Sequence, residues 1–285
     1  MRTMKRRQSV SGKTVLITGA ARGIGAETAR RLHAKGANVS LVGIEPDRLA
    51  ALANELGERV DYFHTDVTDV DALNEATAGT VSRFGGIDAV IANAGIAPPT
   101  QTVADIASAD FERTLTINLN GVWRTVKATL PHILDSRGHI VLVSSIYSFL
   151  NGALNASYAM SKAGVEQLGR ALRVELAPSG ASAGVAYFGF IDTDMAQNAF
   201  AQPAAAAMRK ALPTFITATT TVEHAADKLV ENVERRSSRV TTPRWVAPAL
   251  MARGPMGLID DRLASSGRLH AAIRVAEQQA RSESA

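Results

Sequence analysis

The amino-acid sequence predicts an α/β fold, a doubly wound parallel sheet of about seven strands flanked by helices. Short apolar runs alternate with helical stretches throughout the 285-residue chain, and this alternation is typical of a parallel sheet with helices on both faces. Apolar residues make up 46% of the chain and charged residues 20%, so a sizeable core is available. The length is normal for a single α/β domain.

Each element follows from a local pattern. The predicted strands are apolar runs at residues 14–17, 39–42, 60–64, 87–91, 139–143, 183–188 and 238–242. The predicted helices cover residues 24–35, 47–56, 70–84, 109–134, 157–176, 194–212 and 222–236. Gly36 is placed to cap the first helix and Pro46 to open the second. Residues 1–11 are expected to be disordered, and beyond Pro243 the pattern weakens into a tail.

The composition argues against several classes of protein. The chain has no cysteine, which excludes disulfides and thiolate metal sites and fits a reducing compartment. Its six histidines show no ligand spacing, so no metal site is expected. The net charge of +4 comes partly from Lys5, Arg6 and Arg7, but no interleaving of basic and aromatic residues predicts nucleic-acid binding. No stretch approaches the roughly 18 apolar residues of a membrane span, and a cytoplasmic protein is expected.

A glycine-rich loop follows the first predicted strand. Residues 18–25 read Thr-Gly-Ala-Ala-Arg-Gly-Ile-Gly and lead directly into a helix. Glycine lets the backbone turn tightly and approach a pyrophosphate, while the helix presents its amide donors and the positive end of its dipole. This context between a strand and a helix favours a nucleotide site. A tight turn without a ligand is the alternative interpretation.

Tyr158 and Lys162 are four residues apart in a predicted helix, which places both side chains on one face. Tyrosine has a reference pKa of about 10, and a neighbouring ammonium is expected to lower that pKa by favouring the phenolate. A serine hydroxyl from another segment, such as Ser145, would then hold a substrate oxygen. Together the three side chains predict proton transfer to or from an alcohol or carbonyl. The spacing alone also fits an exposed tyrosine–lysine pair.

With these motifs, the chain resembles the short-chain dehydrogenase/reductase family from residue 13 to about residue 195. The family's Asn-Ala-Gly turn is matched by residues 93–95, and Asn118 matches its catalytic asparagine. Ser145 lies thirteen residues before Tyr158, the family spacing, which selects it over Ser144. The resemblance implies a Rossmann-like catalytic domain over residues 12–245 with a substrate lid at 194–215. A C-terminal extension, residues 246–285, would pack on this domain.

The resemblance implies a role for each matched residue. Tyr158 would be the general acid in reduction and the general base in oxidation. Lys162 would bind the nicotinamide ribose, and Asn118 would position a water beside it. Ser145 would hold the substrate oxygen, with Phe188 and Gly189 close by. The implied cofactor-binding residues are Gly19, Ala21, Arg22, Gly23, Ile24, Gly25, Gly43, Ile44, Glu45, Asp66, Val67, Asn93, Ala94, Gly95, Tyr158, Lys162, Ile191 and Thr193.

The end of the second strand bears on the choice between NAD and NADP. An acidic residue there binds the ribose 2′-hydroxyl and repels a 2′-phosphate, but the usual aspartate position holds Gly43. Arg22 would pair with a phosphate, unless it is only a solvated surface charge. Both features favour NADP. Glu45 favours NAD, because its carboxylate would reach the ribose or repel the phosphate. NADP is the predicted cofactor and NAD the alternative.

The sequence departs from the family pattern at two places. Phe188 replaces the usual proline after the sixth strand, close to the nicotinamide and substrate. The C-terminal segment looks like that of members with extensions that act on lipophilic alcohols and ketones. In it, Trp245, Leu250, Met251 and Met256 would cover an apolar pocket or touch a membrane surface, with ordinary packing as the alternative. The lid, rich in alanine and methionine, predicts an apolar and adaptable pocket.

The predicted function is NAD(P)-dependent interconversion of an alcohol and a ketone or aldehyde, on a lipophilic small molecule. Two other functions stay open. One is a cofactor-binding regulatory protein that has lost catalysis, although all four proton-transfer candidates are present. The other is an epimerase or dehydratase, because fold alone does not fix the reaction. The resemblance also implies a homodimer formed through the long helices, with a tetramer as the alternative.

Overall fold

The central sheet has the predicted architecture. In the computed structural model, which describes residues 7–283, seven strands lie in the order β3-β2-β1-β4-β5-β6-β7. Every neighbouring pair is parallel, so the predicted doubly wound sheet is confirmed. The strands are β1 (Thr14–Thr18), β2 (Asn38–Gly43), β3 (Val60–His64), β4 (Ala89–Ala92), β5 (His139–Ser145), β6 (Ser182–Phe188) and β7 (Arg239–Thr242).

Helices cover both faces of the sheet and form most of the C-terminal extension. They are α1 (Gly23–Ala34), α2 (Pro46–Leu56), α3 (Val70–Phe84), α4 (Ser108–Leu115), α5 (Val122–Asp135), α6 (Ala156–Glu175), α7 (Asp194–Phe200), α8 (Pro203–Ala211), α9 (Thr214–Thr217), α10 (Val222–Arg235), α11 (Val246–Met251), α12 (Arg253–Met256), α13 (Asp260–Ala264) and α14 (Gly267–Glu283). Short 3₁₀ turns lie at Ile146–Ser148, Ala177–Ser179 and Gly257–Ile259.

Side chains of each inner strand alternate between two cores. On β1, Val15 and Ile17 pack beneath α1, α2 and α10, whereas Leu16 packs beneath α3, α5 and α6. All three side chains are at most 1% exposed. A strand that is buried on both faces must be apolar at every position, which explains why β1 reads as a continuous apolar run.

The order of the strands reverses at β1, which lies between β2 and β4. In an open parallel sheet, ligands bind at such a switch point, outside the carboxyl ends of the strands. The glycine-rich loop follows β1, and the turn containing Asn93 follows β4. The topology therefore brings these two predicted motifs together at the edge where a nucleotide would bind.

Two of the predicted helices are divided in the structure. The predicted helix over residues 109–134 is interrupted between α4 and α5 by a π-helical segment, Thr116–Gly121. Residues 194–212 form α7 and α8, with the break before Pro203. A π turn holds one more residue than an α turn, and a proline favours the first turn of a helix. The other shared elements differ from prediction by at most two residues at either end.

The two ends of the described chain pack against the rest of the protein. The prediction of disorder is wrong for residues 7–11, because Val10 is buried and the amide of Gln8 donates to the carbonyl of Glu234 at 2.8 Å. Lys5 and Arg6 lie outside the described residues. The C-terminal extension that the sequence implied is present, and α11 to α14 occupy most of residues 246–283.

Helix α14 packs against α8. Leu269, Ala272 and Ala276 on α14 form one apolar cluster with Ala204 and Met208 on α8. Alanines at the contact let the two helices approach closely, and all five side chains are at most 8% exposed. The C-terminal helix therefore supports the segment that the sequence assigned to the substrate lid.

Candidate active site

The glycine-rich loop has a backbone that only glycine accepts easily. Gly19 and Gly23 have φ angles of +65° and +55°, and a Cβ on Gly19 would lie 2.9 Å from the Cα of Ala94. Gly25 lies beneath the loop, where a Cβ would collide with the carbonyl oxygen of Gly19. No side chain caps α1, and its first turn has no acidic residue. The helix amides therefore face the loop, ready for an anion.

The turn after β4 holds this loop in place. The hydroxyl of Thr18 accepts hydrogen bonds from the amides of Asn93 and Ala94, at 3.1 and 3.2 Å. The side-chain amide of Asn93 donates to the carbonyls of Thr18 and Gly19, at 3.0 and 3.3 Å. Four hydrogen bonds thus join the two segments on either side of the switch point. Asn93 positions the loop in addition to any contact it makes with a ligand.

A single cavity of about 670 Å³ runs from the glycine-rich loop to Tyr158 and the lid. This volume lies within the range typical of small-molecule sites. Two of the predicted site residues, Gly25 and Asn118, support its wall without lining it. The predicted residues that line it are Gly19, Ala21, Arg22, Gly23, Ile24, Gly43, Ile44, Glu45, Asp66, Val67, Asn93, Ala94, Gly95, Ser145, Tyr158, Lys162, Phe188, Gly189, Ile191 and Thr193.

The two adjacent serines at the end of β5 have different contacts. Ser144 donates to the carbonyl of Lys162 at 2.8 Å, inside the core. The hydroxyl of Ser145 donates to the carbonyl of Phe188 at 3.2 Å and accepts from the amide of Tyr147 at 3.3 Å. The Ser145 hydroxyl also lies close enough to the Tyr158 hydroxyl to affect its acidity. Ser145 therefore faces the tyrosine, whereas Ser144 anchors α6 to the strand.

The acidity of Tyr158 differs from the sequence-based expectation. Burial raises the pKa of Tyr158 to about 12, and the interaction with the Ser145 hydroxyl acts in the opposite direction. The expectation that Lys162 lowers the pKa of Tyr158 is wrong, because the net shift is upward and Lys162 does not contribute to it. Desolvation disfavours the phenolate more than the available partners favour it. At neutral pH the side chain is thus a phenol, poised to donate its proton.

Lys162 lies deeper than its partner and is 4% exposed. Its ammonium donates to the carbonyl of Val143 at 3.0 Å and lies 5.5 Å from the centroid of the Tyr158 ring. Burial lowers the pKa of Lys162 to about 8. The residue remains a cation at neutral pH, and its charge lies beside the tyrosine ring.

Asn118 lies in the π-helical segment and is fully buried. Its Oδ1 accepts from the amide of Ile96 at 2.8 Å, and its Nδ2 donates to the carbonyl of Ile96 at 2.9 Å. A Cβ on Gly95 would lie 3.1 Å from Oδ1 of Asn118 and 3.7 Å from Nζ of Lys162. Asn118 therefore fixes the chain after β4 at a point close to Lys162.

Charged side chains surround the end of β2. Nε of Arg22 lies 3.0 Å from Oε2 of Glu45, and Nε of Arg48 lies 3.5 Å from Oε1. Gly43 leaves space here, because a Cβ would meet only the side chain of Leu49 and the amide of Ala20, at 3.7 Å or more. One carboxylate thus lies between two guanidinium groups, with a net charge of +1.

The segment after β6 joins the lid to the rest of the site. Phe188 is buried, and the amide of Gly189 donates to the carbonyl of Thr242 at 2.8 Å. Ile191 forms an isolated bridge with Thr220. The hydroxyl of Thr193 caps α7 by accepting from the amide of Ala196 at 3.2 Å. A Cβ on Gly23 would lie 3.5 Å from Cγ2 of Thr193, so the base of the lid meets the glycine-rich loop.

Several residues of the cavity were missed by the sequence analysis. Tyr147 packs edge-on against Tyr158, with centroids 5.7 Å apart, and also against Phe190 at 6.4 Å. Arg209 on α8 stacks over the Phe200 ring at 4.6 Å. Tyr147 could have been predicted from the sequence, because it lies just after Ser145 in the segment that leads to Tyr158. Nothing in the sequence pattern singles out the others, because their position depends on how the lid folds back.

Metal-binding clusters and membrane-spanning helices are both absent from the described residues. Among residues 7–283, no three histidine, aspartate or glutamate side chains are grouped so as to hold a metal ion. None of the helices that these residues form has both the length and the apolar character needed to cross a membrane.

The parallel sheet with helices on both faces is a Rossmann-like fold. One family model, described as short chain dehydrogenase, matches residues 13–204. The chain belongs to this family, and the resemblance found in the sequence is confirmed.

Named relatives agree with this assignment. The chain is 36% identical over 206 residues to (-)-trans-carveol dehydrogenase of Rhodococcus erythropolis, covering 66% of this chain and 74% of that protein. It is 36% identical over 191 residues to cis-4-hydroxycyclohexanecarboxylate dehydrogenase of Sinomonas cyclohexanicum, covering 66% and 77%.

Solved structures share the fold. A short-chain type dehydrogenase/reductase from Mycobacterium marinum superposes with a TM-score of 0.74 at 27% identity, covering 82% of this chain and 94% of that one. A 3-ketoacyl-(acyl-carrier-protein) reductase from Brucella melitensis, complexed with NADH, gives a TM-score of 0.73 over 82% and 98%. At 23% identity, this second likeness shows the fold alone.

Proposed function

We propose that this protein is an NAD(P)-dependent oxidoreductase that interconverts an alcohol and a ketone or aldehyde. One observation carries the proposal: the hydroxyls of Ser145 and Tyr158 meet at the inner end of the cavity that begins at the glycine-rich loop. A dinucleotide that extends along this cavity would have its reactive end beside a phenol. The named dehydrogenase relatives support the same reaction class.

The residues at the outer end fit a dinucleotide. Gly19 and Gly23 leave room for a pyrophosphate beside the uncapped amides of α1, and this is a ready anion site. Asp66 and Val67 line the side on which an adenine would lie, and Thr193 lies close to Gly23. The nicotinamide, when bound, supplies hydride transfer. The chain contributes position, proton transfer and exclusion of water.

Tyr158 and Ser145 would share the substrate oxygen. The phenol of Tyr158 would donate its proton to that oxygen in reduction and take the proton back in oxidation. Ser145 would hold the oxygen and stabilise the charge that develops there. Lys162 remains cationic beneath the ring, and Asn118 would hold a water that connects Lys162 to solvent. In this role Asn118 acts through its fixed position in the π-helical segment.

We propose NADP as the preferred cofactor. Glu45, which alone would repel a 2′-phosphate, has its charge offset by Arg22 and Arg48. A phosphate there would meet two guanidinium groups, which bind oxyanions in a bidentate manner. NAD is the second candidate, because the carboxylate of Glu45 lines the same cavity and would accept hydrogen bonds from ribose hydroxyls.

The lid end of the cavity supports a lipophilic substrate. Apolar side chains form much of its wall, and they come from the turn after β4, the segment after β6 and helix α8 with its end. They are Ile96, Ala97, Pro98, Phe190, Met195, Ala199, Phe200, Met208 and Leu212. An apolar wall with two hydroxyls at its inner end suits a molecule that has one polar atom and an otherwise hydrophobic body. Methionines allow such a pocket to accept related shapes.

We also propose a homodimer through the long helices. Trp123 on α5 is 50% exposed, and Met160 and Val174 on α6 are 54% and 71% exposed. Large apolar side chains exposed on neighbouring helices favour burial against a second copy. Light scattering tests this, and a Trp123→Lys variant that leaves the mass unchanged would count against it. A cytoplasmic location stays a prediction.

The function is tested by following nicotinamide absorbance with NADPH or NADH across a panel of apolar ketones and aldehydes, and by the reverse reaction. Tyr158→Phe should lose at least 10²-fold in turnover, the low end of what general acid catalysis provides. Its cofactor affinity should be unchanged. Tyr147→Phe is the matched control, because it removes a neighbouring phenol hydroxyl and should retain most activity. Retained turnover in Tyr158→Phe would refute the assignment.

The same experiment separates the alternatives. A regulatory protein would bind the dinucleotide without turnover of any substrate in the panel. An epimerase or dehydratase would change the substrate without net change in nicotinamide absorbance. Product analysis by mass spectrometry distinguishes these two outcomes.

A further inference from the structure

A second cavity of about 230 Å³ lies between α6, β6, β7 and the helices of the C-terminal extension. It shares no lining residue with the cofactor and substrate cavity. Four arginines line it: Arg170 and Arg173 from α6, Arg239 from the start of β7, and Arg253 from the start of α12. Three segments that are far apart in the chain thus each contribute guanidinium groups to this small cavity.

One carboxylate lies at the buried side of this cavity. Glu166, on α6 four residues after Lys162, is 4% exposed and forms an ion pair with Arg253. Tyr187 of β6 hydrogen-bonds with Glu166, and burial together with the nearby carboxylate raises the pKa of Tyr187 to about 12. Glu166 is thus paired with Arg253, and one carboxylate offsets the charge of only one of the four arginines.

The other three arginines have no anionic partner within the described residues. Arg170 donates to the neutral amide of Gln167 at 3.2 Å, and Arg239 lies 3.7 Å from the sulfur of Met251. No carboxylate side chain described in residues 7–283 forms an ion pair with Arg170, Arg173 or Arg239. Guanidinium groups stay charged at all physiological pH values. The cavity therefore carries a net charge of about +3, the sum of four guanidinium groups and one carboxylate.

We propose that this cavity binds a phosphate group, either inorganic phosphate or the terminal phosphate of a larger molecule. Arg170 and Arg239 are exposed at the mouth of the cavity, and an anion shared between like charges around a common space would relieve their repulsion. The planar fork of arginine matches the oxygens of a phosphate. A phosphate near pH 7 carries about two negative charges, whereas a carboxylate would offset only one of the three. The charge of the site thus favours phosphate over a monocarboxylate.

Calorimetric titration of inorganic phosphate into the full-length protein at constant ionic strength tests this proposal. We expect one binding event that is weakened at least tenfold by Arg173→Gln and by Arg239→Gln. Arg83→Gln, on the exposed surface of α3, removes the same charge elsewhere and should leave the event unchanged. Arg22→Gln controls for phosphate in the glycine-rich loop. Loss of the event in Arg22→Gln alone, or no event in the wild type, would overturn the proposal.

Thermal unfolding gives a second readout. Without phosphate at low salt, Arg239→Gln should melt at the same temperature as the wild type or higher, because it relieves repulsion. Phosphate should raise the melting temperature of the wild type and not that of the variant, since a ligand stabilises only a state that binds it. If the variant melts lower both with and without phosphate, the arginines have a packing role and the proposal fails.

The source of the phosphate is distinguished by a sedimentation experiment. Vesicles of phosphatidylcholine with phosphatidic acid are compared with vesicles of phosphatidylcholine alone. If the protein sediments with the vesicles that contain phosphatidic acid and Arg239→Gln abolishes this, the ligand is a lipid phosphate. In that case the exposed Met251 at the rim would enter the bilayer. Phosphate binding in solution without sedimentation assigns a soluble phosphate.

Discussion

The substitution Leu269→Ala on α14 should weaken substrate binding, although Leu269 does not line the substrate cavity. Leu269 is 6% exposed and packs with Met208 of the lid. Leu269→Ala removes three carbons, which at about 0.8 kcal/mol each gives about 2.4 kcal/mol. A residual cavity raises the cost to about 3 kcal/mol. Because 1.4 kcal/mol corresponds to a factor of ten, docking of α14 on α8 should weaken by about a hundredfold.

The assay compares KM for an apolar ketone with KM for the nicotinamide cofactor. Met208 and Arg209 line the lid end only, so KM for the ketone should rise at least about threefold while KM for the cofactor stays within about twofold. Leu258→Ala is the matched control, because this leucine of the same extension is 75% exposed. Equal changes in both KM values, or an equal effect of Leu258→Ala, would refute the coupling of α14 to the lid.

Three other predictions concern the cofactor and proton-transfer groups. Because the folded-state pKa of Tyr158 is raised to about 12, the acid form dominates at neutral pH. Reduction should therefore vary little between pH 6 and 8, whereas oxidation should rise with pH, approaching tenfold per unit; a flat oxidation profile would contradict this. Glu45→Gln removes the charge that opposes a 2′-phosphate and should raise the ratio of kcat/KM for NADPH over NADH about tenfold, whereas an unchanged ratio would exclude a role for Glu45. Gly19→Ala places a Cβ on a residue with left-handed backbone, 2.9 Å from the Cα of Ala94. It should weaken cofactor binding more than tenfold, as measured by fluorescence titration. Gly86→Ala is the control, because a Cβ there would contact no other atom within 4 Å.

Much of the sheet could be predicted, because its strands obey a simple rule. A strand covered on both faces is a nearly continuous apolar run, and the middle positions of β1, β5 and β6 read that way. The glycine-rich loop was visible for a similar reason, since its geometry excludes a Cβ. The structure then shows that these local signals converge on one cavity, which only the topology of the sheet can bring about.

The C-terminal helices could not be predicted in the same way. The buried face of α14 consists largely of alanines such as Ala272 and Ala276, and alanine gives a weak apolar signal. Its partner α8 is more than fifty residues away in the chain. The π-helical segment was hidden because one extra residue in a turn scarcely alters the apolar periodicity.

The acidity of Tyr158 and the arginine-lined cavity lie beyond sequence reasoning for another reason. A pKa depends on the balance between burial and neighbouring charges, and the spacing of Tyr158 and Lys162 reveals only one neighbour. Arg170 and Arg253 are more than eighty residues apart in the chain, and their convergence with Arg239 is a property of the folded chain.

The hydrogen bonds between β5 and α6 have a consequence for evolution and engineering. Ser144 bonds the backbone of Lys162, and Lys162 bonds the backbone of Val143. This reciprocal tie fixes the start of α6 against the end of β5 independently of residues 146–155, which connect them. The connecting segment can therefore change in length or sequence to admit a new substrate, while the distance between the serine and tyrosine hydroxyls is kept.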